Sequence, residues 1–296
     1  MQIRFPLILD GATGTELQKC GYKGDVSAEQ WVLDNPESIV GIQKGYVAAG
    51  SNVLYSPSFG ANRRKLEEHG IFNRTADYNR RLATLSQKAA DGRAFVAGDI
   101  SPTGLFLSPL GEASFEELVD IYTEQAAGLE QAGVDLFVIE TMMTLSDARA
   151  AVLAVRSVSD KPIFVTFTCD ENGRSLSGTD ITAALTVLQG MGIDAFGLNC
   201  SAGPAEMLRS VKLGAGATIS AFLSALLRAA MCSAVVPQQP PKMATPEAKN
   251  SGMSSTNCSG GQLYTVLPST ISGMLYEGTL PDSALAPLVS KYGVII

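Results

Sequence analysis

The chain has 296 residues, 46% of them hydrophobic and 17% charged, so it is long enough to bury a large core. A net charge of −7 and a pI near 4.9 argue against a nucleic acid or an anionic membrane surface as partner. No apolar run approaches the roughly 18 residues of a membrane span. Five cysteines at irregular spacing predict reduced thiols in the cytoplasm.

A repeating unit predicts the fold. A helical stretch ends in glycine, which favours the left-handed C-cap conformation, and a short apolar strand follows at once. The unit occurs at Gly50, Gly133 and Gly192. Apolar strands that alternate with helices are typical of a parallel sheet. The predicted strands are 7–9, 51–56, 95–99, 134–141, 162–167 and 193–200, and the clearest predicted helices are 114–133 and 145–158.

Six such units before residue 212 favour an α/β fold of the (β/α)8 TIM-barrel type. A doubly wound sheet is the alternative, but no Gly-x-Gly-x-x-Gly fingerprint follows the first strand. Segment 232–262 is rich in Ser, Pro and Gly and predicts a loop or disorder. The unit returns at 284–296, where the chain ends inside a predicted strand. We therefore expect one barrel domain over 1–296, incomplete at its C-terminal end.

The carboxyl ends of barrel strands form the active face, because the loops that carry catalytic residues start there. The predicted strand ends carry polar or small residues, which we call the polar ring. Its members are Asp10, 56–59, Asp99, Glu140, Thr141, Thr168, Asn199 and Cys200.

Cys200 follows an apolar strand in Gly197-Leu198-Asn199-Cys200-Ser201. A thiolate at a strand end is suited to act as a nucleophile or as a zinc ligand. The alternative is a small buried hydrophobe, as many cysteines are.

Three further features point to ligand binding. In the turn Asp10-Gly11-Ala12-Thr13-Gly14-Thr15, small residues let backbone N–H groups approach a carboxylate or phosphate, although an ordinary tight turn would look the same. Glu140 could hold an amino group, act as a base or lie solvated at the rim. Asp99 could do the same or cap a turn. His69, the only histidine, lies in a charged helix and is expected to be solvated, which excludes multi-histidine metal sites.

Taken together, these residues resemble the homocysteine S-methyltransferase family, and in particular the homocysteine-binding barrel of cobalamin-dependent methionine synthases. The resemblance covers about 5–211, and the motifs are specific in combination and in order. The segments that carry it are 7–18, Phe59-Gly60-Ala61-Asn62, 98–104, Ile139-Glu140-Thr141-Met142, Ser177-Gly178-Thr179-Asp180 and 197–201.

The resemblance implies methyl transfer to the sulfur of homocysteine, giving methionine, with a zinc ion held by three cysteine thiolates. Cys200 would be one zinc ligand, while Asp99 would line the mouth of the site. The methyl donor would be a corrinoid or a folate that reaches the barrel through a partner domain, or another methylated compound. The residues that would hold homocysteine are Asp10, Gly11, Ala12, Thr13, Gly14, Glu140 and Asn199.

The sequence departs from the family at its other two zinc ligands, an adjacent Cys-Cys pair that is absent here. We therefore expect only a partial zinc site, unless Cys232 or Cys258 substitutes. Segment 212–283 is divergent, so we also expect a truncated chain or one with an altered reading frame. A second hypothesis is a non-catalytic, vestigial homocysteine-binding barrel. A third, an aldolase or lyase, would need a lysine at a strand end, and the sequence has none there.

Overall fold

A computed structural model describes residues 7–200 of the chain. Within this range, helices alternate with five parallel strands that form one sheet. No helix in this range is long and apolar enough to cross a membrane. The strands are β1 Val53–Tyr55, β2 Phe95–Ile100, β3 Leu136–Met142, β4 Ile163–Phe167 and β5 Ala195–Leu198. The helices are α1 Gly14–Lys19, α2 Ala28–Asp34, α3 Pro36–Ala48, α4 Arg63–Glu68, α5 Thr75–Ala90, α6 Phe115–Ala132, α7 Leu145–Val158 and α8 Ile181–Gly190.

The strands lie side by side in chain order, from β1 to β5, and every neighbouring pair is parallel. A doubly wound sheet reverses its strand order at a switch point. The described strands have no such reversal, so their order favours winding in one direction, as in a barrel. The predicted first strand is shorter than expected, since Leu9 forms only an isolated bridge to Val53.

Local sequence signals set the helix ends where they were predicted. Ser114 caps α6 by accepting a hydrogen bond from Glu117 N at 3.0 Å, and Gly133 ends that helix with a φ of 77°. Gly50 and Gly192, at φ 108° and 79°, also have left-handed backbones just after helices. Helix α7 has the predicted bounds. His69 caps the end of α4 and is exposed, as predicted.

The strands bury side chains on both faces of the sheet, which explains their continuous apolar sequence. Alternate residues pack against the helices, for example Val96 in β2 and Phe137 in β3. The residues between them form a separate inner cluster. Its members are Leu7, Leu9, Val53, Phe95, Ala97, Leu136, Val138, Phe164 and Ala195.

This alternation positions the polar residues. Because side chains two residues apart share a face, Asp99 follows Phe95 and Ala97 onto the inner face at the end of β2. By the same two-residue period, Glu140 lies on the inner face with Val138, and Asn199 lies on it with Ala195. Three polar side chains from different strands thus meet above one apolar cluster.

The parallel α/β sheet is therefore confirmed. Closure into eight strands stays a prediction, because the remaining strands would lie outside the described residues. The expectations for 212–283 and 284–296, and the roles considered for Cys232 and Cys258, also fall outside them.

Candidate functional site

A cavity of about 550 Å³ opens at the carboxyl end of the sheet. Its size is within the range of small-molecule sites. All eight residues predicted to bind homocysteine or zinc line it, and their roles there remain predictions. They are Asp10, Gly11, Ala12, Thr13, Gly14, Glu140, Asn199 and Cys200.

The turn of residues 10–14 forms one wall of the cavity and is fixed by hydrogen bonds. Asp10 Oδ2 accepts a bond from Tyr55 N at 3.0 Å, and the Tyr46 hydroxyl donates to Ala12 O at 2.7 Å. Gly11 lies against the Tyr46 ring, where an added Cβ would be 2.7 Å from Cε1. A glycine is required at this position because any side chain would collide with the ring.

Glu140 reaches the cavity from an irregular end of β3. The register with β4 shifts between Ile139 and Met142, and Thr141 has a φ of 60°, a rare conformation for a β-branched residue. The Asn199 amide braces this bulge by donating to Thr141 Oγ1 at 2.8 Å and to Glu140 Oε2 at 3.3 Å. Bulges and strained residues of this kind concentrate at functional sites.

Burial changes the protonation of the Glu140 and Asp99 carboxyl groups, which are hydrogen-bonded to each other. Desolvation raises the pKa of Glu140 to about 7, although the bond from Asp99 opposes the rise. For Asp99, which is only 4% exposed, burial and then the Glu140 charge hold the pKa well above its usual range. We assign the proton of this coupled pair to Asp99, the more buried group.

The cavity is acidic. Four carboxyl groups line it, those of Asp10, Glu29, Asp99 and Glu140, and its described lining contains no lysine, arginine or histidine. Asp99 Oδ1 is buried and accepts no hydrogen bond from the described residues. A ligand with a cationic group would meet both the charge and this acceptor.

Cys200 lies just past the end of β5 with a left-handed backbone, φ 53°, and is exposed. Its Sγ is 3.6 Å from Asn199 Nδ2. The strand-end setting predicted from the sequence is confirmed, and the exposure rules out the alternative of a small buried hydrophobe.

The described residues do not complete a zinc site. They contain no group of three His, Cys, Asp or Glu side chains able to hold a metal ion, and Cys200 is the one sulfur that they place in the cavity. Cys169 is buried away from the cavity, and Cys20 is exposed at the end of α1. One thiolate is too few for a structural or catalytic zinc ion.

Helices α1 and α2 contribute cavity residues that the sequence did not single out: Leu17, Ala28, Glu29 and Val32. Glu29 is the most informative of them, because it is only 6% exposed and its Oε1 accepts the Gly60 N–H at 2.7 Å. A carboxylate in the first turn of a helix usually interacts with the helix end and solvent. The one hint in the sequence was the glycine at position 60. The structure explains it, because a Cβ added at Gly60 would lie 2.6 Å from Glu29 Oε1.

Three members of the polar ring do not line the cavity: Ser58, which is fully buried and donates to Asp99 O at 2.8 Å, Thr141 and Thr168. Thr141 braces the bulge from within, through its bond with Asn199, and Thr168 is half-buried beside Cys200. Asp10, Ser56, Pro57, Phe59, Asp99, Glu140, Asn199 and Cys200 do line it.

Known proteins with similar sequences and folds agree with this picture. Methionine synthases of Mycobacterium tuberculosis and Mycobacterium leprae are each 31% identical to the chain over 218 residues. That match covers 68% of this chain but only 18% of each relative. The metallated form of the homocysteine methyltransferase MmuM from Escherichia coli shares the fold, with a TM-score of 0.66 and 23% identity over 73% of this chain and 81% of that one. Residues 7–261 match the family described as homocysteine S-methyltransferase, and the chain therefore belongs to that family.

Proposed function

We propose that this chain binds homocysteine in the acidic cavity and that methyl transfer to the homocysteine sulfur gives methionine. The observation that carries the proposal is the convergence of an amide-lined turn, a buried carboxyl pair and a strand-end thiol on one cavity. Family membership supports the choice of substrate.

Each part of homocysteine has a chemically matched wall. Its ammonium group would face Glu140 and the buried Asp99 Oδ1, since a cation stabilises these desolvated acids. Its carboxylate would face the backbone of the 10–14 turn, away from the carboxyl pair. This orientation would direct the sulfur toward Cys200, which also lines the cavity.

Zinc is a separate proposal. Cys200 would supply one thiolate ligand, and any further ligands would have to come from outside the described residues, where Cys232 and Cys258 lie. A bound zinc ion lowers the pKa of a coordinated thiol, which favours the thiolate at neutral pH.

The methyl donor is proposed as a corrinoid or a folate delivered by a partner domain, or another methylated compound. The chain spans about 18% of the length of the two methionine synthases that it matches, so a separate donor module agrees with their greater length. We further propose that the sheet belongs to a closed (β/α)8 barrel and that the protein is cytoplasmic. Its described cysteines form no disulfide, which suits that compartment.

Calorimetric titration with L-homocysteine and with L-homoserine tests substrate binding, because the two ligands differ only in sulfur against oxygen. Saturable binding of homocysteine by the purified chain is expected. Transfer of a labelled methyl group to homocysteine, tried with methylcobalamin, methyltetrahydrofolate and S-methylmethionine, then tests the reaction. Failure of the chain to bind homocysteine would refute the proposal.

Matched cysteine variants test the zinc proposal. Cys200→Ser should lower the zinc content of the purified protein and should weaken homocysteine binding more than homoserine binding. Cys20→Ser changes an exposed thiol outside the cavity and should alter neither. Equal zinc content in both variants and the wild type would exclude Cys200 as a ligand.

A non-catalytic homocysteine-binding barrel is the second candidate. The single sulfur in the described cavity favours it, since family chemistry needs more ligands than Cys200 alone. It predicts homocysteine binding together with negligible zinc and no methyl transfer. Measured turnover with any of the three donors would eliminate it.

A further inference from the structure

Helix α3 holds the 10–14 turn from behind, through side chains that do not line the cavity. Tyr46 is 1% exposed, and its hydroxyl donates to Ala12 O at 2.7 Å. Gln43, fully buried and three residues earlier on the same helix face, donates to Tyr55 O at 2.7 Å. The Tyr55 N–H in turn donates to Asp10 Oδ2. One face of α3 therefore restrains the turn at two residues: Ala12 directly through Tyr46, and Asp10 indirectly through Gln43 and Tyr55.

The bond from Tyr46 sets the direction of the next amide. In a planar trans peptide the carbonyl and the N–H point in opposite directions. Because Ala12 O points at the Tyr46 hydroxyl, the N–H of Thr13 points away from that hydroxyl. Ala12 and Thr13 both line the cavity.

The Tyr46 hydroxyl is a dependable donor. Burial raises the pKa of Tyr46 well above its usual range, and the charges of Asp10 and Glu16 raise it further. The hydroxyl therefore keeps its proton at any physiological pH. The ring also packs on Gly11, so it restrains the turn by contact as well as by the hydrogen bond.

We propose that Tyr46 is a positioning residue for the substrate: by fixing the Ala12–Thr13 peptide, it aims the Thr13 N–H at the carboxylate of homocysteine. The inference rests on the proposed function and adds a residue that does not contact the ligand. A hydrogen bond to a charged group is worth more than a neutral one, so misdirecting this amide should be measurable in affinity.

Tyr46→Phe tests the proposal, since it removes the hydroxyl and leaves the ring on Gly11. L-Homocysteine should bind about tenfold more weakly, as expected for the loss of one well-aligned bond to a charged group. The affinity for 3-mercaptopropylamine, which is homocysteine without its carboxylate, should change by less than about twofold. If the protein catalyses methyl transfer, Tyr46→Phe should raise KM with kcat nearly constant, because the missing bond acts in the ground state and the transition state alike.

Tyr122→Phe is the matched control for stability. Tyr122 is also fully buried, and its hydroxyl donates to Asp147 Oδ1 at 2.7 Å and accepts the Thr103 N–H at 3.1 Å, outside the cavity. This variant should lower the thermal midpoint at least as much as Tyr46→Phe and leave homocysteine binding unchanged.

The possible results are distinct. Wild-type affinity in Tyr46→Phe, or an equal loss in Tyr122→Phe, would overturn the positioning role. An equal loss for homocysteine and 3-mercaptopropylamine would also overturn it, because the carboxylate would then not be the group affected. If the wild-type protein does not bind homocysteine, the proposed function itself fails, and the role of Tyr46 fails with it.

Discussion

The two walls of the cavity would recognise a ligand by different physics. The strand-end wall, Asp99, Glu140 and Asn199, presents two desolvated carboxyl groups whose protonation depends on burial, together with one amide. The turn wall, residues 10–14, presents backbone groups, and the neutral Tyr46 hydroxyl from α3 holds one of them. Changes of charge or pH should therefore alter ligand affinity through the strand-end wall, and steric changes should alter it through the turn wall. An amino acid, with one cationic and one anionic group, suits such a pair of walls.

Removing the charge of the strand-end wall should have the largest effect. Glu140→Gln keeps the shape of the side chain but removes the carboxylate that would face the substrate ammonium. Homocysteine affinity should fall about a hundredfold by calorimetry, since an ammonium would be left without its partner. The thermal midpoint should stay equal or rise, because a buried acid no longer has to be desolvated.

The control for that variant is Glu116→Gln, an exposed carboxylate in the first turn of α6 that does not line the cavity. Its homocysteine affinity should equal that of the wild type. Similar losses in both variants would show that overall charge, not the strand-end wall, governs binding.

Crowding the turn wall should have the next largest effect. In Gly11→Ala the new methyl group would lie 2.7 Å from the Tyr46 ring, so the turn must move away from α3. Homocysteine affinity should fall by about ten- to thirtyfold, since small displacements of binding groups are costly. Gly45→Ala in α3 meets no atom within 4 Å and should retain full affinity with a slightly higher thermal midpoint. Wild-type affinity in Gly11→Ala would mean that the turn does not bind the substrate.

The two walls also differ in how far the sequence could reveal them. Asp99, Glu140 and Asn199 could be placed together because each follows an apolar strand, and the two-residue period fixes the face that it shares. The residues that support the cavity walls, Glu29 and Tyr46, could not be found in this way. Glu29 bonds Gly60 and Tyr46 bonds Ala12, each across about thirty residues, and no local pattern encodes such long-range pairs.

The strand order was also predictable, since repeated βα units wind in one direction. The bulge at Glu140–Thr141 was not. Its left-handed threonine contradicts local propensity and is stabilised by the Asn199 amide, which comes from a distant strand. Local rules failed where tertiary contacts hold a strained residue at the cavity.

The pH dependence of binding should follow the strand-end wall. With a pKa near 7 in the unliganded protein, Glu140 is largely protonated at pH 6 and must lose that proton to pair with the ammonium. Homocysteine affinity should therefore fall as pH drops below 7, by up to about tenfold per unit, and level off above pH 8. Calorimetry between pH 5.5 and 8 measures this slope, and Glu140→Gln should abolish it. A slope that persists in the variant would assign the titration to another group.

The smallest effect on binding is expected at Asp147, a buried acid that bonds Tyr122 away from both walls. Burial raises the pKa of Asp147 to about 6 from 3.8 when unfolded, so the folded state binds more protons between these values. The free energy of unfolding should therefore fall as pH rises from about 4 to 6, by up to about 3 kcal/mol from this group, and stay level above. In Asp147→Asn, this part of the decrease in the free energy of unfolding should be absent, as measured by urea denaturation at pH 4.5 and 7. The homocysteine affinity of the variant should not change. A change in affinity here would mean that the buried network behind the sheet is coupled to the cavity, and the division into two independent walls would have to be abandoned.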